Sequence, residues 1–313
     1  MRIKDMHLLP KVRDSMSYLY VEHKRIDQED RAIALHDAAG KVSVPCSSLV
    51  ALLLGPGTSI THEAIKTLAD NGCLVMWTGE GAVRFYAQGM GETRSARNML
   101  HQTRVWSDPA LRLKVVRRMY EMRFPDSLES HLTLQQIRGR EGIRVREAYA
   151  RASRETGVAW TGRSYRRDNW ADADPINRAL SSANSCLYGV CHAAIVSAGY
   201  SPALGFIHTG KMLSFVYDIA DLYKADITVP LAFRLTAESA TNLESRVRRA
   251  CRDEFYSQRL LQKIIPDIEQ TLAVVEKDGS DSQDFDKADD PPGGLWDPDE
   301  GQTAGGVNWS EEA

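Results

Sequence analysis

Two carboxylates and a histidine lie close together in one short stretch of the chain. Asp218 and Asp221 are three residues apart, and His208 precedes Asp218 by ten residues. Residues three apart on a helix have Cβ atoms about 5 to 6 Å apart, so two like charges there repel unless a cation lies between them. Two carboxylates with an imidazole suit Mg²⁺ or Mn²⁺. The spacing indicates a candidate metal site, although a solvated acidic face beside a core-edge histidine fits the same pattern.

A further acid, Glu141, stands in the segment Arg138-Gly-Arg-Glu141-Gly. Arg138 and Arg144 lie three residues before and after it, where they would form ordinary ion pairs on a helix surface. Local spacing therefore leaves two interpretations open, a surface ion pair or a member of the candidate site.

The segment Gly205-Phe-Ile-His-Thr-Gly-Lys211 has the GxxxxGK pattern of a phosphate-binding loop. Met212 follows where that motif needs Ser or Thr to hold magnesium, and no extended apolar strand leads into it. We therefore expect no nucleotide cofactor.

The net charge of −3 conceals an asymmetry between the body of the chain and its end. Residues 278 to 313 hold 11 Asp and Glu against one Lys, which leaves 38 Lys and Arg against 31 acids in residues 1 to 277. A basic body favours a polyanionic partner such as nucleic acid, although a charge run is also typical of a solvated segment.

The five cysteines are odd in number and lack the paired CxxC spacing of a zinc site, so we expect buried thiols in a reducing cytoplasm.

No signal peptide is visible, because charged residues precede any apolar run. Residues 179 to 209 carry no formal charge, but interspersed polar and small residues favour a helix packed within the protein over a membrane span. We expect a cytoplasmic protein without a membrane partner.

The periodicity of the chain changes near residue 91. Residues 1–90 show short β-like runs separated by glycine turns and one inserted helix, whereas residues 91–277 have helical periodicity. The predicted helices are 93–106, 109–124, 134–155, 174–199, 214–226, 228–238 and 243–276. Residues 278–313 are rich in Asp, Gly and Pro and predict a disordered acidic tail, in which Leu295 and Trp296 could form a docking peptide. The expected fold is α+β, with a small β-rich domain followed by a mainly helical catalytic domain.

Several segments carry a resemblance to a known family, and it covers nearly all of residues 10 to 275. They are Leu111-Arg-Leu-Lys-Val-Val-Arg-Arg-Met-Tyr, Arg138-Gly-Arg-Glu141-Gly, Ser185-Cys-Leu-Tyr-Gly-Val, and the run from Gly205 through His208 and Asp218 to Asp221. The sequence closely resembles the CRISPR-associated integrase, the first core Cas protein, in its type I-E form.

The resemblance implies the reaction and the residues that perform it. A protein of this family joins the 3′-hydroxyl ends of captured DNA fragments into the first repeat of a CRISPR array by transesterification, which needs no ATP. Glu141, His208 and Asp221 are implied as ligands of Mg²⁺ or Mn²⁺. Asp218 is implied as a further catalytic acid that binds the metal or supports the site.

The resemblance also implies partners. These are DNA (spacer precursor and CRISPR repeat), a second copy of the chain through the β-rich domain, and the small second core Cas protein. The residues predicted to contact DNA are Lys66, Arg84, Arg163, Tyr165, Tyr188, Lys211, Tyr217, Lys224, Arg248 and Arg252.

Two other functions remain open from the sequence. One is a metal-dependent nuclease that cuts branched or single-stranded DNA without joining it. The other is a DNA-binding scaffold without catalysis, in which the acids are structural.

Overall fold

The computed structural model describes residues 17–30, 32–46, 49–80, 85–89, 96–163, 174–275, 295–297 and 301–303. Strands come first and helices follow, which confirms the predicted α+β class. The first part contains β1 (Ser17–Val21), β2 (Arg25–Glu29), β3 (Ala32–Asp37), β4 (Gly40–Pro45), β5 (Leu49–Leu54), β6 (Ser59–Ile60), α1 (His62–Asp70), β7 (Leu74–Thr78) and β8 (Phe85–Gly89). The second part contains α2 (Arg97–Ser107), α3 (Pro109–Glu121), α4 (Leu134–Thr156), α5 (Pro175–Ser197), α6 (Ser214–Ala220), α7 (Val229–Glu238), α8 (Leu243–Ser257) and α9 (Leu260–Leu272).

The strands of the first part form two sheets. One has the order β1-β5-β7-β8, with β1, β5 and β7 parallel and β8 antiparallel at the edge. The other has the order β4-β3-β2-β6, an antiparallel meander with β6 added parallel to β2. Strand β2 gives a weak strand signal, because its sequence Arg-Ile-Asp-Gln-Glu offers only one apolar residue, the fully buried Ile26.

The central strand β5 has two buried faces. Leu52 and Leu54 belong to the core shared with the second sheet and α1, whereas Ala51 and Leu53 pack with residues of α5. Successive side chains of a strand point to opposite faces, so the apolar run of β5 supplies both cores. The sheet thus lies between the second sheet and the helical part of the protein.

Helix α5 is the centre of the helical part and packs against α6, α7, α8 and α9. It is long and apolar enough to cross a membrane, yet 78% of its most apolar window is buried inside the fold. This burial agrees with the predicted core helix. The five cysteines are all buried and free, as expected.

Two of the predicted helices were wrong in extent. The predicted helix 243–276 is broken into α8 and α9 at Arg259, whose backbone is left-handed with φ of 49°. Buried residues recur every four positions within each helix, but Phe255 and Leu260 are five apart, and the break absorbs this offset. The predicted helix 214–226 ends at Ala220, and a π-helix follows at Lys224–Thr228.

The predicted domain boundaries near residues 90 and 277 fall outside the described residues. So does most of the predicted disordered tail, residues 278–313. Within that tail the structure describes β9 (Leu295–Asp297) paired antiparallel with β10 (Gly301–Thr303), a short hairpin that the sequence did not predict.

His192 lies on α5 where the helix meets the β-rich part, and its ring packs against Phe85 of β8 with ring centroids 3.9 Å apart. Burial lowers the pKa of His192 to about 4, below the ordinary value of 6.5. The unfolded chain therefore binds a proton that the folded chain does not between pH 6.5 and 4. We expect the free energy of unfolding to fall over this window, by about 3 kcal/mol for this group alone.

Urea unfolding of His192→Phe against wild type, measured from pH 7 to pH 4.5, tests this expectation. The variant keeps a buried ring without the titrating group, so its stability should fall less in acid. The exposed control His62→Phe should follow the wild-type profile. Parallel profiles for His192→Phe and wild type would contradict the assignment.

Candidate metal centre

Three elements of the helical part bring the predicted acids and histidine together. Glu141 lies on α4, which begins with a reciprocal capping box between Thr133 and Gln136. Asp218 lies within α6, and Asp221 is the residue that ends it. His208 lies in the connection between α5 and α6.

Asp218 is fully buried and accepts four hydrogen bonds from the segment that carries His208. The backbone N–H groups of Phe206 and Ile207 donate to Oδ2 at 2.6 and 3.0 Å. The backbone N–H of His208 and its Nδ1 donate to Oδ1 at 2.9 and 2.7 Å. Both oxygens are thus occupied, so Asp218 orients His208 and is not placed as a metal ligand. These amides are also not free to cradle a phosphate.

The ring of His208 is held in a defined orientation by this contact. Because Nδ1 faces the carboxylate of Asp218, the other nitrogen, Nε2, is left for a ligand and lies 4.0 Å from Oδ2 of Asp221. The hydrogen bond that His208 donates to Asp218 raises the pKa of His208 above its ordinary value, although burial acts in the opposite direction.

Side chains of α2 and α3 also form hydrogen bonds with the backbone of residues 201 to 208. Trp106 Nε1 donates to the carbonyl of Gly205 at 3.0 Å, and Arg112 donates to the carbonyls of Gly205 and Phe206 at 3.2 and 3.1 Å. Gln102 exchanges two hydrogen bonds with the backbone of Ser201. Sequence reasoning missed these residues, because their partners are backbone groups about 100 positions away.

Arg123 was also missed, and it lies at the centre of the site. Its side chain is 4% exposed, and its Nη1 lies 3.4 Å from Oε1 of Glu141 and 3.8 Å from Oδ2 of Asp221. Nη2 donates to the backbone carbonyl of Asp218 at 3.4 Å. Its position just beyond α3 gave no local sign of a role.

Two further cations contact the acids. Arg144 forms a forked pair with Glu141, with Nε 2.8 Å from Oε2 and Nη2 3.1 Å from Oε1. Lys224 Nζ donates to Oδ1 of Asp221 at 2.5 Å and lies 4.7 Å from the centre of the Tyr188 ring. Burial lowers the pKa of Lys224, but Asp221 and Tyr188 together outweigh burial and raise it.

The donor set suits a hard divalent cation in its chemistry. Glu141 and Asp221 supply carboxylates and His208 supplies Nε2, the ligand types expected for Mg²⁺ or Mn²⁺. Within the described ranges, no three acidic, histidine or cysteine side chains are grouped as a ready-made metal site. The guanidinium of Arg123 lies within 4 Å of both Glu141 and Asp221.

Four of the residues predicted to contact DNA lie at or beside this site. Tyr217 contacts the rings of both His208 and Tyr188, with centroids 5.9 and 5.0 Å away. Lys224 is paired with Asp221, and Lys211 is exposed three residues after His208.

The remaining predicted DNA contacts are dispersed. Lys66 on α1 pairs with Asp70, and Arg248 on α8 pairs with Glu80. Arg252 pairs with Asp253, while Arg163 lies within 3.4 Å of Asn177 and Ser181. Arg84 and Tyr165 lie outside the described residues.

Replacing Asp218 by Asn should destabilise the protein and release His208. The Asn side chain has one oxygen and an NH₂ group, which cannot accept from the amides that donate to the present carboxylate. We expect a loss of about 2 to 4 kcal/mol in the free energy of unfolding. We also expect a lower pKa for His208, because the group that raises it is gone.

Chemical denaturation gives the first quantity, and histidine NMR titration of the metal-free protein gives the second. The control is Asp226→Asn, an exposed acid in the following π-helix. An Asp218→Asn protein with wild-type stability and an unchanged His208 pKa would refute the role assigned to Asp218.

Comparison with known proteins gives a consistent result. Residues 121–252 match the family model described as CRISPR associated protein Cas1. A CRISPR-associated endonuclease Cas1 from Thermus thermophilus is 56% identical over 97% of this chain and 93% of its own length. Its Escherichia coli counterpart is 44% identical over 85% of this chain and 87% of its own length.

The fold agrees with a solved structure of the same group. The crystal structure of a TtCas1-DNA complex has a TM-score of 0.77 and 59% sequence identity, over 85% of this chain and 100% of that one. Similarity at this level over nearly the whole chain establishes the relationship. The chain belongs to the Cas1 family of CRISPR-associated proteins.

Proposed function

We propose that this protein is a divalent-metal-dependent DNA integrase of CRISPR adaptation, in its type I-E form. It would join the 3′-hydroxyl ends of captured DNA fragments into the CRISPR repeat array. The observation that carries the proposal is the convergence of Glu141, His208 and Asp221 beside one buried guanidinium. The family relationship and the DNA complex of the similar TtCas1 support DNA as the substrate.

The reaction is a transesterification at phosphorus. The oxygen of the incoming 3′-hydroxyl forms a bond to the phosphorus of the repeat backbone, the bond from that phosphorus to the leaving 3′-oxygen breaks, and the proton passes to the leaving oxygen or to solvent. The number of phosphodiester bonds is conserved, so no ATP is required.

The residues divide this work among themselves. Glu141, Asp221 and Nε2 of His208 would hold Mg²⁺ or Mn²⁺, which supplies Lewis acidity and neutralises charge on the phosphate. Asp218 keeps His208 oriented with Nε2 outward. Lys224, which pairs with Asp221, and the exposed Lys211 would contact the DNA backbone near the reacting phosphate.

The assembly belongs to the same proposal. We propose a homodimer that works in the cytoplasm with the small second core Cas protein as a bridge between two dimers. The basic body of the chain supports binding of a long polyanion by such an assembly.

A second candidate function is DNA cleavage without joining. The relatives from Thermus thermophilus and Escherichia coli are both named endonucleases. The proposed metal centre would serve either reaction. A scaffold without catalysis is the third candidate, in which Arg123 permanently neutralises the two carboxylates.

Replacing Asp221 by Ala should abolish joining. The experiment incubates the protein and its small partner with a short duplex bearing 3′-hydroxyl ends and a supercoiled repeat plasmid, with Mg²⁺ or Mn²⁺. We expect covalent fragment-plasmid products from wild type and at least about a hundredfold less from Asp221→Ala, because one carboxylate of the metal centre is lost.

The matched control is Asp226→Ala, which removes an exposed acid five residues away and should leave joining unchanged. Nicking of the plasmid without joined products would favour the endonuclease. Absence of any metal-dependent product from wild type would leave the scaffold as the function.

DNA affinity should depend on salt through Lys211. Each phosphate contact releases a counter-ion, so the logarithm of the binding constant falls linearly with the logarithm of salt concentration. We expect Lys211→Gln to weaken binding and to reduce the magnitude of this slope by about 1.

Fluorescence anisotropy with a labelled duplex from 50 to about 200 mM salt, the range in which such contacts weaken measurably, gives the slope. Lys263→Gln on α9 removes another exposed lysine and serves as the control. A slope for Lys211→Gln equal to that of wild type would exclude Lys211 as a phosphate contact.

A further inference from the structure

The candidate metal centre is electrically balanced by the protein's own groups. Three carboxylates, those of Glu141, Asp218 and Asp221, lie together with three cations. The cations are Arg123, Arg144 and Lys224. Each lies within 4 Å of the carboxylate of Glu141 or of Asp221. A divalent ion added to this arrangement would leave it with a net charge of about +2, which low-dielectric surroundings disfavour.

Arg123 is held less well than the other two cations. Its contacts to Glu141 and to the Asp218 carbonyl are both 3.4 Å, whereas Arg144 and Lys224 reach their carboxylates at 2.8 and 2.5 Å. Its Nε is buried and has no hydrogen-bond acceptor among the described residues. A buried donor without an acceptor destabilises the arrangement that contains it.

Arg123 also occupies the position that matters most for a metal. Its Nη1 lies within 4 Å of both Oε1 of Glu141 and Oδ2 of Asp221, the two carboxylates of the donor set. Arg144 forms its ion pair with Glu141, and Lys224 forms its ion pair with Asp221 through Oδ1. The charge that opposes a metal most directly is therefore that of Arg123.

We propose that Arg123 is an internal counter-ion that keeps divalent-metal affinity low in the free protein, so that metal binds tightly only when DNA is present. This inference rests on the proposed metal-dependent function. DNA phosphates supply the negative charge that offsets the added ion, and metal and DNA therefore bind with positive coupling. By reciprocity, the metal strengthens DNA binding by the same factor.

Titration with Mn²⁺, followed by the electron paramagnetic resonance signal of the free ion, measures metal affinity without any reaction. It is performed on the full chain alone and with a short duplex, in the absence of a repeat plasmid. Two control titrations use Asp221→Ala and the duplex without protein. They measure the Mn²⁺ that binds outside the candidate metal centre.

We expect the DNA-free Arg123→Met variant to bind Mn²⁺ at least about tenfold more tightly than wild type, because a unit charge beside the ion is removed. The duplex should strengthen Mn²⁺ binding by wild type at least about tenfold and strengthen it less in the variant. Arg140→Met removes an arginine of α4 that pairs with the exposed Glu129, and it should match wild type. Arg123→Lys keeps the charge and should also keep the weak DNA-free affinity.

Thermal unfolding in EDTA and in Mn²⁺ gives a readout of the same site. Without Arg123 the two carboxylates lose their shared cation, so Arg123→Met should melt at a lower temperature in EDTA and recover with Mn²⁺ more than wild type does. A folded Arg123→Met protein with wild-type Mn²⁺ affinity would overturn the proposal. If the variant does not fold, equal Mn²⁺ affinity of wild type with and without DNA overturns it without any variant.

These outcomes are distinct from failure of the proposed function. Mn²⁺ affinities that follow the expected order in a protein that joins no DNA would refute the integrase and leave the role of Arg123 intact. Efficient joining by a protein whose Mn²⁺ affinity ignores both DNA and Arg123 would refute only the role of Arg123.

Discussion

Asp218 lies without solvent exposure and accepts three backbone N–H groups and one ring nitrogen of a single short segment. A buried carboxylate with so many donors is stable only if the donors stay in place, and the donors stay in place only while the carboxylate is there. The connection between α5 and α6 has no regular secondary structure to fix it. The hydrogen bonds to Asp218 therefore hold this segment in place, together with the contacts that Arg112 and Trp106 make to its carbonyls. They also set the orientation of His208.

Helix α5 contacts both the β-rich part of the molecule and the candidate metal centre. Near its C-terminal end, Ala193 and Val196 pack on the first sheet, and nearer its middle Tyr188 lies beneath Lys224. The same rigid element thus supports the β-rich part on one side and the base of the candidate centre on the other. Its sequence has few charges, which is a requirement of packing on nearly every face and explains why it resembles a membrane span by composition.

The sequence predicted the α+β class and the proximity of the acids and the histidine, because periodicity and short-range spacing encode both. Spacing alone suggested that a cation lies between Asp218 and Asp221, but the two side chains face different partners, and Asp218 turns toward His208. Arg123 escaped prediction, because its partners come from α4 and α6, 18 to 98 residues along the chain. The break at Arg259 was missed because one offset in a four-residue pattern is a weak signal against a strongly helical background.

Gly205 lies where the segment carrying His208 turns back on itself. A Cβ atom there would overlap the carbonyl oxygen of His208 and lie only 2.6 Å from the Cβ of Ser214 at the start of α6. Every single-nucleotide change of a glycine codon that alters the residue introduces a Cβ or ends the chain. A single substitution at Gly205 is therefore not tolerated by the present backbone. Evolution could replace this glycine only together with a change in the neighbouring backbone.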